Sequence, residues 1–73
     1  MKTNKLLVIE GMTCNHCKMR VERALGSVDG VKSVKIDLAN GETLVTLNKA
    51  IEDRILSGAV VNAGYGVKSI VAQ

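Results

Sequence analysis

A pattern typical of a strand, a helix and a second strand occurs twice along this chain of 73 residues. Alternating apolar and polar residues predict half-buried strands, whereas apolar residues three and four positions apart predict an amphipathic helix. The predicted elements are a strand at Lys5–Glu10, a helix at Asn15–Ser27, strands at Val31–Leu38 and Glu42–Leu47, a helix at Glu52–Ala63 and a strand at Gly66–Ala72. When helices connect strands of the same sheet, the rules of chain connection allow only a few arrangements of those strands.

The order of these elements predicts an α+β fold with two layers. Right-handed crossovers through the helices give a four-stranded antiparallel sheet with both helices on one face, which is the ferredoxin-like βαββαβ sandwich. Asn40-Gly41 is a hairpin signal between the two middle strands, and Gly64 is a C-terminal cap signal for the second helix. We expect one domain that spans residues 1–73.

Strand alternation also predicts which side chains face the helices, because successive side chains point to opposite faces of a sheet. The side chains expected to point toward the helices are Leu7, Ile9, Thr43, Val45, Leu47, Val67, Ser69 and Val71. The apolar side chains expected on the open face are Leu6, Val8, Leu44 and Ile70. Scattered exposure of this kind is usually harmless, and the alternative is a surface for self-association or for a partner.

Aromatic residues are almost absent, since the chain has one Tyr, no Phe and no Trp. Single-stranded nucleic acid is usually held by bases that stack on several aromatic side chains, so we expect no nucleic-acid ligand and an aliphatic core. The net charge of +3 includes no basic run of nucleic-acid type. The apolar run Leu6–Ile9 is too short for a membrane span or a signal peptide. We therefore predict a cytoplasmic protein without membrane insertion, whose thiols stay reduced.

Both cysteines lie in the segment Gly11–Cys17, between the end of a strand and the start of a helix. Backbone N–H groups and the dipole at a helix start favour negative charge, so we expect both thiols to ionise more readily than a free cysteine. Two thiolates at this spacing can hold one soft metal ion, and soft ligands favour Cu(I) over Zn(II). A structural zinc site needs four ligands. His16 is expected to point away from the centre that Cys14 and Cys17 form.

The Cys-x-x-Cys arrangement at a helix start also occurs in thiol–disulfide oxidoreductases. A thioredoxin-like domain is typically longer and carries a cis-proline that faces the motif, whereas this chain has no proline. A purely structural disulfide is disfavoured, because so short a loop closes little chain. Metal binding is therefore the favoured interpretation, and redox catalysis stays open as an alternative.

Several features together resemble the heavy-metal-associated domain family over essentially the whole chain. They are the Gly-Met-Thr-Cys-Asn-His-Cys motif, the βαββαβ order, Gly30-Val31 and Ala63-Gly64-Tyr65. The family comprises small copper chaperones, the amino-terminal metal domains of metal-transporting P-type ATPases, and mercury-binding relatives. The resemblance implies that Cys14 and Cys17 are the metal ligands.

The resemblance also assigns roles to residues around the cysteines. It implies that Met12 packs under the loop without binding metal. Thr13 stands where zinc-transporting members tend to carry Asp, which favours Cu(I) and leaves Ag(I), Hg(II) and Zn(II) as alternatives in vitro. Tyr65 and His16 both resemble the bacterial copper chaperones, in which the loop before the last strand tends to place Tyr against the metal loop. His16 is otherwise an exposed polar residue beside the site.

The function implied by the resemblance is non-enzymatic. A copper chaperone would carry Cu(I) and pass it, by exchange of thiolate ligands, to a copper-transporting P-type ATPase or a copper-responsive repressor. The alternative within the family is the metal-binding domain of such an ATPase. Lys18, Arg20 and Arg23 form either a solvated helix face or a docking surface for an acidic partner. We expect the metal-free protein to be a monomer, and bound metal could link two molecules into a dimer.

Overall fold

The structure is a computed structural model that describes residues 3–73; residues 1 and 2 of the predicted domain lie outside the described residues. Its elements are strand β1 (Thr3–Glu10), helix α1 (Asn15–Gly26), strands β2 (Val31–Asp37) and β3 (Glu42–Leu47), helix α2 (Asp53–Asn62) and strand β4 (Gly66–Ala72). The strands pair antiparallel in the order β2-β3-β1-β4. The ferredoxin-like sandwich is confirmed, with β1 and β3 at the centre of the sheet.

The core lies between the sheet and the two helices and is aliphatic, as the composition predicts. Its side chains with no exposed surface are Leu7, Val21, Leu25, Val45, Leu47, Leu56 and Val60. Each such side chain stabilises the fold by about 1.5–3 kcal/mol relative to an exposed one. Thr43 is also fully buried on this face, and its hydroxyl has no hydrogen-bond partner among the described residues.

The pairing of β4 with β1 contains an irregularity that the sequence did not indicate. Ile9 pairs with Val67 and Val8 pairs with Ser69, so Lys68 is an extra residue on β4. Such a β-bulge places two residues of one strand opposite one residue of its neighbour. The alternation of side chains along β4 therefore shifts by one residue after Val67.

Beyond this bulge, the predicted orientations of the β4 side chains are wrong. Ile70 packs against the core rather than lying on the open face, whereas Ser69 and Val71 are exposed rather than buried. Val71 pairs with Leu6, and Leu6 pairs on its other side with Leu44. The apolar row on the open face therefore consists of Leu44, Leu6 and Val71.

The hairpin between β2 and β3 turns at the end of the sheet at which β1 finishes. The Asp37 carboxylate accepts hydrogen bonds from the backbone N–H of Ala39 and the side-chain amide of Asn40, at 3.0 and 2.8 Å. Gly41 has a φ of +67°, and its carbonyl accepts a hydrogen bond from the Ile9 N–H at 2.8 Å. The end of β1, from which the cysteine loop departs, is thus held by the hairpin.

Candidate metal centre

The loop that carries the first cysteine is anchored from beneath. Gly11 leaves β1 with a φ of +91°, a conformation that favours glycine. Met12 is only 7% exposed and belongs to the core cluster, in agreement with the packing that the resemblance implies. Thr13 and Cys14 are exposed. The loop is therefore fixed at its base, with the first thiol at the surface.

The two cysteines lie together at the start of α1. Cys14 is the N-cap residue with extended backbone, and its carbonyl accepts a hydrogen bond from the Lys18 N–H at 3.1 Å. Cys17 lies in the first turn, half-buried against the core. Both cysteines are free thiols, and the Cys14 thiol donates to the Cys17 sulfur with 3.6 Å between the Sγ atoms. Two sulfurs this close can bind the same ion.

Tyr65 approaches the cysteine loop from the connection between α2 and β4. Gly64 ends the helix with a φ of +99°, and the Tyr65 N–H then donates to the Val60 carbonyl at 3.2 Å. A Cβ atom added at Gly11 would lie 3.3 Å from Cδ1 of Tyr65, so the ring rests against the Gly11 backbone. The aromatic ring therefore lies against the loop that carries the cysteines, which is where the resemblance places it.

The surroundings of Cys17 stabilise its thiolate. The Tyr65 hydroxyl contributes most, followed by the backbone N–H of Thr13 and the Cys14 thiol, and these hydrogen bonds lower the pKa of Cys17 from 9.0 to about 7. The interaction with Cys17 in turn raises the pKa of Tyr65, since a phenolate would face the sulfur. The lowered pKa of Cys17 has the direction expected at a helix start, but its largest cause is the Tyr65 hydroxyl, which the sequence did not indicate.

The described residues place no third candidate ligand with the thiols. Within residues 3–73 there is no group of three or more His, Cys, Asp or Glu side chains that could hold a metal ion. His16 is exposed in the first turn of α1.

Among residues 3–73, no helix is both long enough and apolar enough to cross a membrane.

One interaction at the site was not predicted. Arg20, expected to serve in docking, also lies near enough to the Tyr65 hydroxyl to oppose the rise in the pKa of Tyr65. Its position three residues after Cys17, on the same side of a helix, was the available signal. The approach of Tyr65 to the Gly11–Cys17 loop was expected only from the resemblance, because no local pattern links residues so far apart in the chain. Lys18 is half-buried and Arg23 is exposed.

Comparison with known proteins agrees with this geometry. The profile of the heavy-metal-associated domain matches residues 6–66. The chain is 36% identical over 66 residues to the copper chaperone CopZ of Staphylococcus aureus (strain bovine RF122 / ET3-1), a match that covers 89% of this chain and 97% of that protein.

Two solved structures extend the comparison. A CopZ metallochaperone is similar with a TM-score of 0.82 and 37% identity, over 88% of this chain and 97% of that one. The N-terminal domain of a potential copper-translocating P-type ATPase from Bacillus subtilis, in the Cu(I)-loaded state, is similar with a TM-score of 0.84 and 32% identity, over 93% and 86%. The protein therefore belongs to the heavy-metal-associated domain family.

Proposed function

We propose that this protein is a Cu(I) chaperone in which Cys14 and Cys17 hold one Cu(I) ion as thiolates. The observation that carries the proposal is the pair of free thiols, 3.6 Å apart, at the start of α1. Thiolates are soft ligands that favour Cu(I). The lowered pKa of Cys17, about 7, reduces the competition between protons and metal near neutral pH. Similarity to CopZ over most of both chains supports copper as the cargo.

Transfer would occur by ligand exchange, without a catalysed reaction. A thiolate of the partner adds to the bound ion from the side of Cys14, which is exposed, while Cys17 is half-buried. One copper–sulfur bond forms before another breaks, and copper remains Cu(I) throughout. A cytoplasmic setting suits this chemistry, because thiols are kept reduced there.

The partner proposed is a copper-transporting P-type ATPase, with a copper-responsive repressor as the alternative acceptor. The similarity to the Bacillus subtilis ATPase domain supports the ATPase, since a partner with the same kind of site can exchange the same ion. Lys18, Arg20 and Arg23 follow the cysteines on α1 and suit an acidic partner surface. We propose that the metal-free protein is a monomer.

The same ATPase similarity favours a second candidate, in which the chain acts as the metal-binding domain of a transporter. The gene context of the chain separates these two functions. Thiol–disulfide exchange is the alternative from another class, and reduction of insulin by the metal-free protein would support it.

The test of the proposal is an anaerobic Cu(I) titration against a competing chelator, with a parallel Zn(II) titration. The wild-type protein should bind one Cu(I) tightly, and Cys14→Ser and Cys17→Ser should each abolish this binding. His16→Asn is the matched control, because it changes the residue between the cysteines and leaves both sulfurs. Tight binding that survives both serine variants would place the site elsewhere, and stoichiometric Zn(II) binding that outcompetes Cu(I) would refute the copper assignment.

A further inference from the structure

Met19 is the most exposed of the large apolar side chains among residues 3–73, with 61% of its surface accessible. It lies on α1 two residues after Cys17. At 3.6 residues per turn, its side chain is on the side of the helix opposite Val21 and Leu25, which are fully buried. Met19 therefore contributes nothing to the core, although it lies next to the candidate metal site.

The surroundings of Met19 on the helix surface are mainly basic. His16 and Arg23 lie three residues before it and four after it, and are its neighbours on the outer face. Arg20 lies between this outer face and the side of the helix that carries Cys17. Glu22 is the one acidic residue of α1. Like Met19, all four of these residues are exposed.

The positive charge of α1 is not balanced by ion pairs among the described residues. No salt bridge of residues 3–73 involves Lys18, Arg20 or Arg23. The first turn of α1 also contains no acidic residue, although the helix dipole favours one there. The outer face of α1 thus presents an apolar side chain, beside the cysteines, among basic groups that form no salt bridge with the described residues.

We propose that Met19 is the apolar anchor through which this protein docks on its copper acceptor, and that the acceptor offers an apolar pocket bordered by carboxylates. This inference rests on the proposed chaperone function and names the chemistry of the partner surface. A few desolvated side chains carry most of the affinity of an interface, while charged groups at its rim set orientation and association rate. Methionine is enriched at interfaces and adapts to irregular pockets.

The same charges argue against a second copy of this chain as the occupant. A two-fold contact centred on Met19 would bring Arg20 and Arg23 of one copy close to the same residues of the other, and like charges oppose such an interface. An acidic partner instead gains from these contacts. Met19 lies only about 7.5 Å along the helix axis from Cys14, so a partner surface that covers Met19 and extends past the start of α1 would reach the exposed thiol at which the ion is exchanged.

The test measures binding of the Cu(I)-loaded protein to the amino-terminal metal-binding domain of the copper ATPase from the same organism. Met19→Ala should weaken this binding about tenfold, a size typical of an interface anchor, and Met19→Leu should largely retain it. Val61→Ala is the matched control, because Val61 is 57% exposed on α2, and it should change binding less than about twofold. The Cu(I) affinity of all three variants should equal that of the wild type.

A second readout reports on the side chain directly. In protein labelled with 13C at the methionine methyl groups, the Met19 signal should shift when the ATPase domain is added, while the signal of buried Met12 should not. Raising the salt concentration should weaken binding of the wild type and Met19→Ala alike, because the apolar contact is not screened.

The outcomes separate failure of the inference from failure of the proposed function. Normal copper transfer with equal binding of Met19→Ala and Val61→Ala would overturn the anchor and leave the chaperone function standing. A wild-type protein that neither binds nor loads the ATPase domain would count against both. A Met19 signal that shifts with the concentration of this protein alone, together with a dimer weakened by Met19→Ala, would replace the acidic partner with a second copy.

Discussion

Replacement of Tyr65 by Phe should raise the pKa of the Cys17 thiol. The substitution removes the hydroxyl that contributes most to lowering this pKa, while the ring can keep its place against Gly11. The hydrogen bonds from the Thr13 backbone and the Cys14 thiol remain. The pKa should therefore rise from about 7 only part of the way to 9.0.

The size of the effect follows from the fraction of thiolate present at neutral pH. At pH 7, a thiol with a pKa of about 7 is roughly half ionised, whereas one with a pKa of 9.0 is about 1% ionised. A rise of about one unit in Tyr65→Phe would reduce the thiolate fraction of Cys17 roughly fivefold. Alkylation at neutral pH should slow by a similar factor, because the thiolate is the reactive form.

The direct assay is a pH titration of metal-free, reduced protein labelled with 13C at the cysteine β carbons, followed by NMR. Assignment of the two cysteine signals allows Cys17 to be followed without mutation of Cys14. Ser69→Ala is the control, because it removes an exposed hydroxyl from β4 at a position that makes no contribution to the Cys17 pKa. If Cys17 titrates at the same pH in Tyr65→Phe as in wild type, the Tyr65 hydroxyl is not the source of the lowered pKa.

Three further predictions concern the stability of the metal-free protein, measured by urea unfolding. Thr43→Val should raise the free energy of unfolding by about 1–2 kcal/mol, because it removes a buried hydroxyl that has no hydrogen-bond partner among the described residues. Thr46→Val is the control at a half-buried position and should change the free energy of unfolding little. A loss of stability in Thr43→Val would contradict this account. Ile70→Ala should lower the free energy of unfolding by about 2 kcal/mol, and Val71→Ala should lower it by less than about 0.5 kcal/mol. If Val71→Ala is instead the more destabilising change, the orientation of β4 predicted from the sequence would be correct. Because folding lowers the pKa of Cys17 from 9.0 to about 7, the free energy of unfolding should decrease as the pH falls through this interval. If Cys17→Ser shows the same decrease, the pH dependence of stability comes from other groups.

Much of the fold could be predicted from local patterns, because helix and strand periodicity depend on residues close together in the chain. The predicted α1 and α2 differ from the observed helices by at most one residue at either end. The strand and helix patterns also placed the Cys-x-x-Cys motif at the start of α1. Its three-residue separation is close to one helical turn, which brings the two thiols to the same side of the helix. The burial of Leu7, Thr43 and Val45 followed from the two-residue period of a strand.

The sequence by itself therefore determined the order of the elements, the inward faces of β1 and β3, and the pair of cysteines at a helix start. The tertiary structure decided which β4 side chains face the core, because the bulge at Lys68 arises in the pairing with β1 and leaves no mark on the local pattern. It also decided the environment of Cys17, whose pKa depends on a hydroxyl that is 48 positions away in the sequence. Packing of the whole chain is what brings Tyr65 to that sulfur, and so sets the chemistry of a site whose atoms the sequence had already named.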